Sequence, residues 1–165
     1  MKHNHYTLEN NKLTLHVKPS PIFVRVLMFI FSFMLFILPI VGMISYISEG
    51  KGIHAGFFVT IFIFSLLSFY LLRVSLWNTY GKEELVFSKN QCTYLANYSW
   101  FKDGVKTETF NTINFAKNPI GYLEDNNYTL VIEDFNADNE IVCVTKMPEK
   151  ELEKLIRELK QLQNH

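Results

Sequence analysis

Residues 71–87 read LLRVSLWNTYGKEELVF, and the chain changes character inside them. Up to Leu72 it is almost pure hydrocarbon. Arg73 and Trp77 then bring the cation and indole favoured at a membrane–water boundary, and from Gly81 the residues Glu84-Leu85-Val86-Phe87 open a strand. An apolar run and the start of a sheet therefore lie about ten residues apart.

Upstream, Val26 to Ser48 contains no charged residue and is dominated by Phe, Ile, Leu, Met and Val. At about 1.5 Å of rise per residue such a run covers about 30 Å of hydrocarbon. A second run, Ile53 to Leu72, is broken only by His54. A chain of 165 residues has too little other material to cover two helices that are apolar on every side. Two membrane helices are therefore expected, over residues 21–48 and 53–79, with 49–52 as a short extracytoplasmic turn. A cleaved signal peptide fits less well, because the first run is too long and follows some twenty mostly polar residues.

Ser20 and Pro21 read as N-cap and first helical residue, and Pro39 as a kink. Lys12, Lys18 and Arg25 precede the first run and Arg73 and Lys82 flank the end of the second, whereas the turn holds only Lys51. That asymmetry places both termini in the cytoplasm of an inner or plasma membrane, with Arg25, Arg73, Trp77 and Tyr80 as interface anchors. Gly42, Ser45, Ser65 and Ser68 allow close helix approach, within the hairpin or between copies as a homo-oligomer.

The formal net charge is zero, yet residues 1–79 carry Lys2, Lys12, Lys18, Arg25, Lys51 and Arg73 against Glu9 and Glu49. The first part is thus +4 and residues 80–165 are −4. An acidic tail argues against nucleic acid as a partner, since phosphate contacts need surplus Lys and Arg, and it weakens any strong attraction to anionic lipid.

From Glu84 onward, short runs alternate with turn signals and no helix intervenes until the end, which indicates an antiparallel sheet or barrel. Cys92 to Phe101 reads as one long strand, Lys102-Asp103-Gly104 as the hairpin turn and Val105 to Phe110 as its partner. Parity then puts Tyr94, Tyr98 and Trp100 on one face and Leu95 and Phe101 on the other. Ile113 to Phe115 continues that sheet after a bend, Asn118 to Gly121 is a loop, and a second hairpin joins Thr129–Phe135 to Glu140–Met147. Leu152, Leu155, Ile156, Leu159 and Leu162 form one stripe of a closing helix that packs on the sheet, with Pro148 in its first turn. Tyr6–Glu9 and Lys12–Val17 form a small N-terminal hairpin that can add to the edge of the C-terminal sheet.

Two N-terminal spans with cytoplasmic ends, then Gly81-Lys82-Glu83-Glu84-Leu85-Val86-Phe87, a series of hairpins and one terminal amphipathic helix, resemble the membrane-anchored bacterial pleckstrin-homology-like proteins. The resemblance implies a membrane α-helical hairpin plus a mainly-β soluble domain over 80–165, a strongly bent antiparallel sheet capped by the C-terminal helix. It also implies a platform for lipids, peptides or proteins. The headgroup-binding loop of pleckstrin domains has its nearest counterpart here in the hairpin of Lys102 and Lys106, which also contains Asp103 and Glu108.

No arrangement of residues suggests catalysis: the five histidines are scattered without a nucleophile beside them, and there is no phosphate-binding glycine loop. No cofactor is expected. Cys92 and Cys143 read as core residues rather than a metal or disulfide pair. Asp134 to Glu140 imitates the ligand spacing of a calcium loop, but Asn139 stands where glycine is needed and Thr145 where glutamate is, so a solvated hairpin tip is expected. The expected interaction surface is Trp100, Phe101, Lys102 and Lys106, gripping another membrane or cytoplasmic protein or sensing the lipid leaflet.

Overall fold

The computed structural model describes residues 5–9, 11–121, 126–134 and 139–163. The chain divides into two compact units, one of residues 19–79 and one that joins residues 1–18 to residues 80–165.

The first unit contains the helices α1 (Ile22–Ser48) and α2 (Ala55–Tyr80). Both are long and apolar enough to cross a membrane, with mean hydropathy 2.6 and 2.2 over their most apolar windows. Only 6% of each window is buried, so residues such as Phe31, Phe36, Phe62 and Phe69 face outward. The expected Ser20 cap does not form: Pro21 occupies the N-cap position without a side-chain bond, and the Ser20 N–H donates to the Asn78 carbonyl (3.2 Å). Pro39 lies inside α1, and Gly50 takes a φ of 76° where the chain reverses after it.

Inside the hairpin the two helices exchange hydrogen bonds. Ser32 Oγ donates to the Ser68 carbonyl (2.9 Å) and Ser68 Oγ to the Ser32 carbonyl (2.8 Å). Both serines are buried, and in hydrocarbon such reciprocal bonds satisfy hydroxyls that lipid cannot. A side chain at Gly42 would meet nothing within 4 Å, so that glycine serves no close approach inside the hairpin.

The second unit is built from strands β1 (Tyr6–Glu9), β2 (Lys12–His16), β3 (Lys82–Ser88), β4 (Gln91–Asn97), β5 (Lys102–Thr109), β6 (Ile113–Pro119), β7 (Asn127–Asp134), β8 (Glu140–Val142) and β9 (Met147–Pro148), closed by α3 (Glu149–Gln163). All pairings are antiparallel: β1 to β5 form a five-stranded sheet in sequence order, and β7 lies between β6 and both β8 and β9 in a second sheet. The N-terminal hairpin is therefore an integral part of the sheet domain. Strand β2 pairs with β3 over the whole of its length, from Lys12↔Val86 to His16↔Lys82, although 65 residues separate His16 from Lys82 and carry both long helices.

Alternation explains which side of each strand is buried. Leu13 and Leu15 of β2, Leu85 of β3, Cys92 of β4, Phe115 of β6 and Leu130 and Ile132 of β7 meet Leu152, Leu155 and Leu159 of α3 in one core. The helix stripe packs on the sheets as expected, but Leu162 remains 47% exposed. Pro148 precedes α3 as the last residue of β9 rather than entering its first turn.

Several strand assignments differ from expectation, among them Glu140–Met147, which forms β8 and β9 with residues 143–146 between them. Strand β4 ends at Asn97, and the turn is Tyr98–Phe101, closed by Tyr98 N–H to the Phe101 carbonyl (3.0 Å). Asp103 and Gly104 lie within β5, where Tyr94↔Lys106 shifts to Ala96↔Asp103 and Gly104 takes a φ of 65°. The glycine thus accommodates a β-bulge, a use of positive φ that reads in sequence like a hairpin turn. Ile113 to Phe115 begin the second sheet instead of continuing the first, and Asn118 and Pro119 belong to β6, at a sheet edge where proline is tolerated.

Candidate interaction surfaces

The register places His16, Lys82, Asn97 and Lys102 in one row across β2, β3, β4 and β5. Next to that row the Val17 N–H donates to the Gly81 carbonyl (3.1 Å), so the chain leaves the sheet and re-enters it at the same end. The turn Tyr98–Phe101 stands at this end. Tyr98 is buried and its ring stacks on Phe101 (centroids 4.7 Å, planes 13° apart), while Ser99 takes a φ of 74° and donates its N–H to Asn97 Oδ1 (2.9 Å). Strand parity fails here because the turn interrupts it, and Trp100 is left 64% exposed although Tyr98 is buried.

Lys102 is exposed at the start of β5. Lys106 lies elsewhere, four residues along the strand and so roughly 13 Å away. Its Nζ donates to the Glu140 carbonyl (2.6 Å) and pairs with Glu108 (3.3 Å). Trp100, Phe101 and Lys102 are thus brought together, and Lys106 is not among them. Of the residues expected as interface anchors, Arg25, Arg73 and Trp77 are half-buried and Tyr80 is exposed, with Arg25 Nε lacking a hydrogen-bond partner among the described residues.

Glu83, next to Lys82 in β3 and one row further into the sheet opposite Leu15 and Ala96, is fully buried. Its Oε1 accepts from Tyr94 Oη (2.8 Å) and Val144 N–H (2.7 Å), and its Oε2 from Thr145 N–H (2.7 Å). One carboxyl group therefore fastens the segment after β8 to the first sheet. Burial together with the neighbouring Glu83 pushes the Tyr94 hydroxyl well above its usual range and does the same to the Cys143 thiol. Alternation already put Glu83 on the inward face with Leu85, a signal that a surface reading of Lys82-Glu83-Glu84 passes over.

A groove follows the outer side of β6, which has no further strand beside it among the described residues. One stretch, about 390 Å³, is lined by Phe115, Ala116 and Lys117 of β6 and Glu153, Ile156 and Arg157 of α3. It shares Phe115 with a cleft of about 520 Å³ whose walls include Phe87, Phe110, Ile113, Leu159 and Leu162 and whose rim carries Asn11, Lys89, Asn90 and Gln163. Lys117 is held between Glu149 and Glu153 (3.0 Å to the latter) and sits 5.3 Å from the Tyr128 ring centroid. Gln163 Nε2 donates to the Ile113 carbonyl (3.2 Å). The floor is apolar and the rim polar, the usual character of a recognition groove.

No family description, curated protein or solved structure matches this chain. Its surfaces are therefore read on their own chemistry.

Among the described residues no cluster of His, Cys, Asp and Glu could hold a metal ion. Most of the imitation calcium loop, residues 135–138, lies outside the described residues. Cys92 and Cys143 are both free and buried, and burial pushes the Cys92 thiol up to about 12. Neither thiol is expected to react with a maleimide at neutral pH until the domain unfolds, because the thiolate is the nucleophile. Stoichiometric labelling of the native protein, read by intact mass, would contradict this.

On the outer face of the first sheet, Lys12 Nζ (2.8 Å) and Asn97 Nδ2 (2.7 Å) hold the Glu84 carboxyl below its ordinary range. The folded pKa is lowered, so the stabilisation is present above the unfolded carboxylate range and fades as pH falls through the folded value. Glu84→Gln is expected to lower the melting midpoint slightly at about pH 7 and not at about pH 3, a difference of about 1 kcal/mol or less. An equal loss at both pH values would show that the charge contributes nothing.

Proposed function

We propose that this chain is a non-catalytic membrane protein that tethers a pleckstrin-homology-like interaction domain to an inner or plasma membrane. In this reading α1 and α2 cross the bilayer as a hairpin with both termini in the cytoplasm, and a second membrane or cytoplasmic protein docks on the sheet domain. The observation that carries it is the open edge of β6 beside the apolar-floored groove under α3. An extended partner segment can add to such an edge, taking main-chain hydrogen bonds from the strand and specificity from the groove. Tethering keeps the domain at high effective concentration toward other membrane proteins, so a contact of modest affinity suffices. The outward-facing apolar side chains of both helices support the spanning reading, and the basic flanks at Lys18, Arg25, Arg73 and Lys82 support the sidedness. A second reading, in which the turn carrying Trp100 and Lys102, without the distant Lys106, senses the leaflet, has the exposure of Trp100 in its favour.

Photo-crosslinkers placed at Asn118 on β6 and Arg157 on α3 of the full-length protein in cells test the proposal. A single partner joined at both positions, and lost when Ile156 is replaced by Lys, is the expected result. Adducts no richer than those formed from Lys154 on the exposed helix face would overturn it.

A further inference from the structure

The end of the sheet at which the chain departs to α1 and returns from α2 has a surface unlike the rest of the domain. Residues 80–165 carry a net charge of −4, yet this end exposes Lys82 and Lys102 in the row His16–Lys82–Asn97–Lys102. Lys18 follows Val17, which is bonded to Gly81, and Lys146 follows Thr145, which is bonded to Glu83. All four are exposed, and none forms an ion pair among the described residues, whereas Lys12, Lys106 and Lys117 are paired. The nearby carboxyl groups are occupied: Glu83 is buried under three donors, Glu84 is bonded to Lys12 and Asn97, and Asp103 Oδ1 accepts the Gly104 N–H. Large apolar groups lie two residues from three of these cations and are exposed: Tyr80 (49%) before Lys82, Trp100 (64%) before Lys102 and Val144 (56%) before Lys146.

We infer that this end is a seat for anionic lipid headgroups of the bilayer the helices cross, with the Trp100 ring at headgroup depth and Lys18, Lys82, Lys102 and Lys146 on lipid phosphates. The inference rests on the reading that α1 and α2 span a membrane. Connectivity singles out lipid over a protein partner. Four residues, Lys18 to Pro21, separate Val17 from α1, a reach of at most about 18 Å, and Gly81 alone separates α2 from β3. The short connections therefore keep this end of the sheet within reach of the headgroup layer in which the two helices would end. Trp and Lys are the residues that layer favours, the indole for its amphipathic ring and the ammonium for anionic phosphate. The stacked Tyr98 and Phe101 and the Tyr98–Phe101 hydrogen bond hold the turn in shape, so presenting Trp100 requires little further ordering.

The test uses full-length protein carrying Trp77→Phe, which leaves Trp100 as the sole indole, in nanodiscs of phosphatidylcholine alone or with roughly a third phosphatidylglycerol. Quenching of Trp100 by lipids brominated high on the acyl chain is expected, stronger in the anionic discs. Reversing Lys82, Lys102 and Lys146 to Glu should abolish the anionic enhancement, since each lysine near the surface favours the seated state by roughly fivefold. Trp100 that is quenched by aqueous acrylamide as in detergent, or whose lipid quenching ignores both lipid charge and the three reversals, overturns the inference. The reciprocal variant, Trp100→Phe with Trp77 kept, separates this outcome from failure of the spanning reading, because Trp77 must be quenched by brominated lipid whenever α2 lies in the bilayer.

Discussion

A chain lacking residues 1–18 should keep its helices and lose a stable sheet domain. Leu13 and Leu15 are fully buried in the core of that domain, and Tyr6 and Leu8 pack against it. At roughly 1.5–3 kcal/mol for each fully buried leucine, with the β2–β3 pairing in addition, the loss is about 5 kcal/mol. The whole stability of a domain this size is about 5–15 kcal/mol, so the truncation removes from a third to all of it and the region beyond residue 80 should open far more readily. Limited trypsin digestion in mild detergent reads this directly. The region after Gly81 should become sensitive in the truncated chain and stay resistant in the full one, and equal resistance would refute the role given to β1 and β2.

The converse experiment follows from the same geometry. The Val17 N–H and Gly81 carbonyl are already hydrogen-bonded at 3.1 Å, so β2 and β3 are poised as two arms of a hairpin. Replacing residues 18–80 by Asn-Gly, a dipeptide suited to a tight type I′ turn, should give a water-soluble domain that melts cooperatively. Residues 80–165 alone should not.

The second large effect is expected at Glu83. Removing its carboxyl group with Glu83→Ala leaves the buried Thr145 N–H and the part-buried Val144 N–H and Tyr94 hydroxyl without their acceptor. Unsatisfied buried donors cost about 1–3 kcal/mol each, and the substitution should destabilise the domain by about 4 kcal/mol. Glu83→Gln keeps the shape and one acceptor oxygen but turns an NH₂ toward a donor, so an intermediate loss is expected. Thermal unfolding of the full-length protein in detergent, followed by tyrosine and tryptophan fluorescence, ranks the variants. If Glu83→Ala melts within a degree or two of the wild type, the carboxyl group does not fasten the segment after β8.

Long, strongly patterned elements were legible in the sequence because their signal repeats over many residues. The two apolar runs became α1 and α2 within a few residues of the expected ends, and the leucine stripe became the buried face of α3. Short signals were less secure. Asp103-Gly104 reads as a turn but serves a bulge, since glycine answers the same need for positive φ in both settings. Ser20 is followed by Pro21 in the pattern of a capped helix, yet no side-chain bond forms there. For the candidate surfaces, composition and turn signals drew attention to Trp100, Phe101 and Lys102, whereas the β6–α3 groove has no signature because its walls come from segments some forty residues apart.

The sequence by itself determined the two helices of membrane-spanning length, the run of antiparallel strands after them and the buried stripe of the closing helix, all consequences of local periodicity and of which side chains water rejects. Only the tertiary structure decided that β2 crosses the interval of two long helices to pair with β3, and that Lys18, Lys82, Lys102, Lys146 and Trp100 gather at one end of the sheet. Those outcomes depend on register between strands distant in the chain. Register is set by the fit of side chains in a shared core, which no single segment contains.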